Sequence, residues 1–365
     1  MKRIVLAITA VAALAACTKS EVQYEPAGEI GFNVVGGNIT KAVVDGTVYP
    51  TTLNMYVFAE TTDNAADAPN YINDGEFTYF NVFEGTNVWG GGSSSTSRNP
   101  YYWPNVKTLH FAGYSKSGNA ADKGVYSCTN GTLSISAYTP GTGTDAGVND
   151  LMWFPTTELQ RAAGYGKADK FVPVNMYHTC SWITFLVKGD EVTGNSTSPY
   201  KVTSLTINGI DQTADVKCSA TSTTTDGTTT VTPNIAWSNN TTQTEDYTVT
   251  FKTTAGVALK SDAAINVETD DATTTSGNIV VIPQTPGKLT LTYTYQSSTG
   301  TTITETVENL DLALAADADA TDGVAATPWE AGKHYIYTIT IKANEILIAP
   351  TPVDWTDGNF NITVE

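Results

Sequence analysis

From residue 30 onward the chain alternates. Ile30, Phe32 and Val34 are separated by Gly31 and Asn33, and Leu53, Met55, Val57 and Ala59 are separated by Asn54, Tyr56 and Phe58. The same period runs through V-T-S-L-T-I at 202–207, Y-T-V-T-F at 247–251, L-T-L-T-Y-T-Y at 289–295 and Y-I-Y-T-I-T-I at 335–341. Apolar residues two apart share one face of an extended chain and are scattered around a helix, so these segments are strands with one face toward a core. Turn formers lie between them: Gly90-Gly91-Gly92-Ser93, Asn130-Gly131, Pro140-Gly141, Asp226-Gly227 and Pro286-Gly287. No long stretch carries a 3.6-residue period. The chain holds 61 threonines, which suit pleated, half-buried surfaces. Short antiparallel strands at this spacing make an all-β protein built of β-sandwiches.

The first 17 residues read as a separate signal. Lys2-Arg3 is a basic start, and the apolar run Ile4–Ala16 that follows is too short to span a bilayer. It closes on Leu14-Ala15-Ala16-Cys17, small residues before a cysteine, which resembles the box at which a lipoprotein signal is cut and its cysteine acylated. Cys17 is therefore the expected lipid attachment point to the outer membrane, each buried CH₂ contributing about 0.8 kcal/mol of anchorage. Residues 18–28 are polar and read as a tether.

Charge narrows the function classes. With 19 Lys and Arg against 37 Asp and Glu, the net charge is −18, and phosphate backbones repel such a chain, so no nucleic-acid partner is expected. No motif for a metalloprotease, a nucleophilic serine, a redox dithiol or a phosphate-binding loop occurs; no catalytic residue, metal or cofactor is expected. The acidic run Asp317-Ala-Asp319-Ala-Thr-Asp322-Gly323 misses the calcium-loop spacing. His110, His178 and His334 sit among strand-like neighbours and read as packed histidines. Beyond Cys17 there are Cys128, Cys180 and Cys218, an odd number that excludes a full disulfide framework; Cys180 with Cys218 is the pair worth testing.

At 365 residues there is room for two domains of about 100–200 residues each. The expected division is 29–178 and 179–365, with the boundary between Lys170 and Ser181. The second part is the threonine-rich one, and Thr221–Thr230 reads as an exposed hairpin tip.

The two ends of the folded region share a pattern. Ile30, Phe32 and Val34 line one face of the first strand, and Phe360, Ile362 and Val364 line one face of the last. Three buried apolar side chains stabilise by roughly 5–9 kcal/mol, comparable to a domain's whole net stability. A subunit that lost its first strand would expose a groove that the last strand of a neighbour, within 351–365, could fill. Asn38-Ile39-Thr40-Lys41-Ala42 offers a protease a basic residue between the first strand and the next.

These features together resemble the fimbrillin family, type V pilin-like lipoproteins of Gram-negative anaerobes. The resemblance rests on Cys17, on Gly-Phe followed by Thr40-Lys41-Ala42, on Asp150-Leu151-Met152, and on His178 before the strand at Trp182. It rests most of all on Trp329-Glu-Ala-Gly332-Lys333-His-Tyr335-Ile-Tyr337-Thr-Ile-Thr-Ile341 with Val353-Asp354-Trp355. It implies two tandem transthyretin-like β-sandwich domains, cleavage between Lys41 and Ala42 by a trypsin-like maturation protease, and polymerisation with itself or other pilus subunits by strand exchange. Well-studied members are cut after Arg, whereas this chain offers Lys41. A tip adhesin with a host receptor is one alternative. A glycan-binding surface lipoprotein is another, in which aromatics near Trp89, Tyr101, Tyr102 and Trp103 would stack on sugars.

Overall fold

A computed structural model describes residues 28–34, 51, 53–61, 63–83, 86–104, 107–115, 124–140, 150–160, 171–194, 199–225, 228–238, 245–272, 279–312, 328–342 and 345–354. Among them there is no helix. The first half supplies β1 (Gly31–Val34), β2 (Met55–Thr61), β3 (Ile72–Phe83), β4 (Thr86–Ser94), β5 (Ser97–Arg98), β6 (Thr108–Ser115), β7 (Gly124–Ser127), β8 (Thr132–Tyr138), β9 (Met152–Gln160), β10 (Val172–Val174) and β11 (Tyr177–His178). The second supplies β12 (Ser181–Gly189), β13 (Lys201–Ile210), β14 (Ala214–Thr225), β15 (Thr228–Ser238), β16 (Glu245–Thr248), β17 (Val257–Ala258) and β18 (Ile265–Asn266). It continues through β19 (Ile279–Val281), β20 (Lys288–Gln296), β21 (Thr302–Asp311), β22 (Lys333–Lys342) and β23 (Glu345–Asp354).

The strands of the first half run in the order β10-β1-β4-β3-β2-β6-β9-β11, with β5 on β4. Ile30, Phe32, Met55, Val57, Phe77, Trp89, Phe111, Phe154 and Val172 from seven of these segments share one buried cluster. Residues alternating along each strand put this cluster on one face of the sheet; the other face is buried too, with Phe58, Ala112, Tyr114 and Trp153 in a separate cluster. In the second half two sheets face each other, β18-β12-β22-β23 with β19 on β12, and β16-β13-β20-β21 with β17 on β13. Their alternating residues, among them Phe185, Val187, Leu205, Ile207, Leu289, Leu291, Tyr337 and Ile339, form a second core.

Two features depart from the sequence reading. Not all pairings are antiparallel: β12 and β22 run parallel from Trp182 opposite His334 to Gly189 opposite Ile341. Between them the chain crosses to the facing sheet and returns, and only such a crossover can bring two strands together in the same direction. The halves are also laced together. The β14–β15 hairpin leaves the second half and pairs with β8, Val216 opposite Ile135 and Cys218 opposite Leu133, giving the sheet order β15-β14-β8-β7. A third apolar cluster forms around it from Phe58, Tyr114, Trp153, Cys180, Trp182, Val216 and Cys218. The Trp237 indole donates to the Thr179 carbonyl at 2.7 Å across the same junction.

Ile30, Phe32, Tyr337 and Ile339, on the alternating faces read from the sequence, are buried, and so are Trp182 and Phe185. Val34 is only half-buried, because it is the last residue of its strand, where the core runs out.

Candidate functional site

β1 has four residues and yet is central. It pairs antiparallel with β4, Gly31 opposite Gly90 and Phe32 opposite Trp89. On its other side it pairs parallel with β10, Phe32 opposite Val172 and Val34 opposite Val174. Phe32 reaches the middle of the first core. Its ring meets Phe77 edge-on at 4.9 Å and Phe111 at 5.4 Å, and Phe154 lies 6.1 Å away. Full burial of such a ring contributes about 1.5–3 kcal/mol, and each edge-on pair about 0.5–1.5 more. Gly31 is a close-approach glycine: a Cβ there would stand 2.9 Å from the Phe171 ring and 3.0 Å from Val88.

The N-terminal end of β1 is braced by the segment that follows β4. Ile30 N–H donates to the Tyr101 carbonyl at 2.8 Å, Trp103 N–H donates to the Gly28 carbonyl at 2.9 Å, and Glu29 bridges to Tyr102. β5 continues along the edge of β4 where β1 stops, Arg98 opposite Gly92. This places the Arg98 guanidinium on the carboxylate of Glu29, an ion pair whose acid is buried. Arg98 also lies over the Phe80 ring at 5.5 Å, a cation–π contact independent of β1. Sequence reading missed this pair; 69 residues separate its members, and nothing local marks Arg98.

At the other end of the chain, β23 pairs with β22 in an unbroken antiparallel register from Lys342 opposite Glu345 to Lys333 opposite Asp354. It lies at the edge of its sheet. The expected lipidation residue Cys17, the expected cleavage residues Lys41 and Ala42, and the expected donor residues Phe360, Ile362 and Val364 lie outside the described residues.

The remaining sequence candidates are placed as follows. Trp89 and Trp103 are buried and Tyr102 is exposed, so the aromatics near residue 100 do not form a common stacking platform. His178 and Asp150, named separately in the sequence, are brought together as a buried hydrogen-bonded pair, His178 Nδ1 on Asp150 Oδ2. His334 accepts or donates at Thr184 Oγ1 over 2.9 Å and stacks on Trp182 at 3.5 Å; burial pushes its pKa down to about 4. Cys180 and Cys218 are free thiols in the junction cluster and Cys128 is free and half-buried; burial pushes the Cys218 thiol up to about 12. Among the described residues no group of three or more His, Cys, Asp or Glu could hold a metal.

The profile of the fimbrillin-like family matches residues 40–355. The chain belongs to that family. The match leaves β1 on its N-terminal side and β23 within it. Solved structures similar to this fimbrillin-like chain include a fimbrial protein from Bacteroides vulgatus ATCC 8482, 17% identical over 90% of this chain and 100% of that one, with a TM-score of 0.54. Others are candidate cell adhesion proteins. The one from Bacteroides ovatus ATCC 8483 is 14% identical over 91% and 98%, TM-score 0.47. The one from Bacteroides uniformis ATCC 8492 is 16% identical over 90% and 98%, TM-score 0.46. No curated protein sequence matches.

Proposed function

We propose that this chain is a structural subunit of a cell-surface pilus that contributes to adhesion. In this reading it is exported as an outer-membrane lipoprotein through Cys17, cut after Lys41 by a trypsin-like protease, and polymerised by strand exchange. The observation that carries the reading is the position of β1. A four-residue strand joined to the rest of the fold through the segment containing Lys41 plugs the first core with Phe32 and is hydrogen-bonded on both sides. A single cut after Lys41 would sever its covalent connection to everything that holds the groove together. The emptied site would have lost its apolar plug and two ladders of hydrogen bonds, a state that aggregates or pairs. A strand donated by a second copy, with Phe360, Ile362 and Val364 in alternation, would restore both. Head-to-tail donation does not close on itself and gives a filament. The family match beginning at residue 40 agrees with β1 being separable from the body of the subunit.

Lys41→Ala is expected to leave a folded, lipidated monomer that forms no filaments. Deletion of Asn359–Glu365 is expected to leave cleaved monomers without filaments. Electron microscopy of the purified protein, with and without trypsin, reads both. Normal filaments from the Lys41→Ala protein would remove cleavage at this bond as the switch. The continuous pairing of β23 with β22 favours one second reading, a tip adhesin whose C-terminal strand stays in its own domain. Filament growth that survives the deletion would select it.

A further inference from the structure

We propose that Arg98 reads a carboxylate on whichever strand fills the β1 groove, and that Glu365 of a second copy supplies it, so that the incoming strand runs opposite to β1. This inference rests on the strand-exchange reading above and adds to it a recognition residue, a partner residue and a direction. Arg98 stands where β5 takes over the edge of β4 from β1, at the N-terminal mouth of the groove. In the uncleaved chain its partner there is Glu29, a buried acid two residues before the strand. Release of β1 takes Glu29 away. Arg98 remains, because Phe80 on β3 holds the guanidinium from the other side. An arginine fixed at the mouth of an apolar groove favours a strand that presents an acid at that level and disfavours one that does not.

The sequence of residues 359–365, Asn-Phe-Asn-Ile-Thr-Val-Glu, can be laid on Glu29–Val34 in two directions. Laid in the same direction as β1, Phe360 takes the place of Ile30, and Asn359 faces Arg98. Laid in the opposite direction, Val364 takes the place of Ile30, Ile362 that of Phe32 and Phe360 that of Val34, and Glu365 faces Arg98. Size selects the second. The Ile30 site is fully buried, and forcing a phenylalanine into it overpacks the core. The Val34 site is half-open and has room for one. Charge selects the same direction, since only then does a carboxylate replace Glu29. Laid in the opposite direction, Asn361 falls on the exposed position of Asn33; laid in the same direction, Thr363 falls there, and either polar residue suits it. Gly31 is replaced by a larger residue in both, Asn361 in the same direction and Thr363 in the opposite one, so the close contact with Phe171 does not discriminate. The incoming strand would then be antiparallel to β10 and parallel to β4, the reverse of β1.

The test is a double-mutant cycle on the full-length chain, with cleavage after Lys41 verified by mass spectrometry and polymer growth followed on gels and by electron microscopy. Arg98→Gln and Glu365→Gln are each expected to slow polymerisation about threefold to tenfold, and the double variant is expected to be no slower than either single. A charge swap supplies the second measurement. Glu29→Arg with Arg98→Glu keeps the pair within the uncleaved chain, reversed, and its folding is checked by thermal unfolding. That variant is expected to polymerise at least about tenfold more slowly than the parent, and adding Glu365→Arg is expected to restore growth. Additive effects in the cycle, or a swapped variant that grows at the parental rate, overturn the inference while leaving strand exchange in place. Filaments from the Asn359–Glu365 deletion overturn strand donation by this segment, and the inference with it.

Discussion

β1 and β23 are the first and last described strands, and they are held in opposite ways. β1 is short, flanked by a strand on each side, and carries a phenylalanine into the centre of a core. β23 is ten residues long, paired on one side only among the described residues, and its Ile346 and Ile348 are only half-buried. Length and hydrogen-bond count favour β23; depth of burial favours β1. A strand whose stability comes from a few buried side chains can be replaced by any other that brings similar side chains in the right spacing. A strand held mainly by its ladder on an edge can peel without opening a core. The comparison therefore assigns different roles to the two strands.

The sharpest way to break the comparison is to remove the buried plug. Phe32→Ala in the uncleaved chain should lower unfolding free energy by about 3–5 kcal/mol, the usual range for a fully buried phenylalanine. Ile348→Ala on β23 should lower it by less, about 1–2 kcal/mol, because that side chain is only partly buried at the edge of its core. Denaturant titration reads both. Equal effects would mean that β1 is not the more deeply anchored strand.

What could be read from the sequence follows from what a period of two encodes. It encodes which side chains share a face, so the burial of Ile30 and Phe32 on β1 and of Tyr335, Tyr337 and Ile339 on β22 was legible, whereas β12, buried on both faces from Ser181 to Phe185, carries no such alternation. It does not encode which strand lies next to which. The parallel pairing of β12 with β22 and the passage of β14–β15 onto β8 depend on where a crossover lands, and alternation is the same for every landing. Asp150 entered the sequence reading only through the family resemblance and His178 as a packed histidine, and their pairing is a fact of tertiary structure. Arg98 carried no signal at all. It sits in the polar run Ser93-Ser94-Ser95-Thr96-Ser97-Arg98, and only the meeting of β5 with the start of β1 gives it a partner.

A second test contrasts either end strand with the junction between the halves. His334 stacks on Trp182 and is held neutral, its pKa lowered from 6.5 to about 4 by burial. A base whose folded pKa is depressed binds fewer protons in the folded state than in the unfolded state between those two values. Stability from this group is therefore complete above about pH 6.5 and is lost as pH falls toward 4, by up to about 3 kcal/mol. His334→Gln should flatten that part of the profile, measured as the difference between variant and parent at each pH. The Phe32→Ala variant should keep the parental slope, because its defect lies in the other core. A His334→Gln profile parallel to the parent would show that burial of this imidazole does not govern the acid response.

The smallest effect is expected at Leu347, and it sharpens the comparison most. This residue lies between Ile346 and Ile348 on the edge strand and is 42% exposed. Replacing it with lysine removes little buried surface, so unfolding free energy should change by less than about 0.5 kcal/mol. A lysine on an edge strand does, however, oppose pairing with another chain at that edge. If β23 contributes to assembly by leading residues 359–365 into a neighbour's groove, its own free edge is not an assembly surface. Filaments of the Leu347→Lys chain should then grow at the parental rate. If growth instead falls as far as it does on deletion of Asn359–Glu365, while the monomer remains as stable as the parent, then neighbouring subunits meet along the edge of β23. Its one-sided ladder would be the attachment itself, and the groove beneath β1 would stay closed.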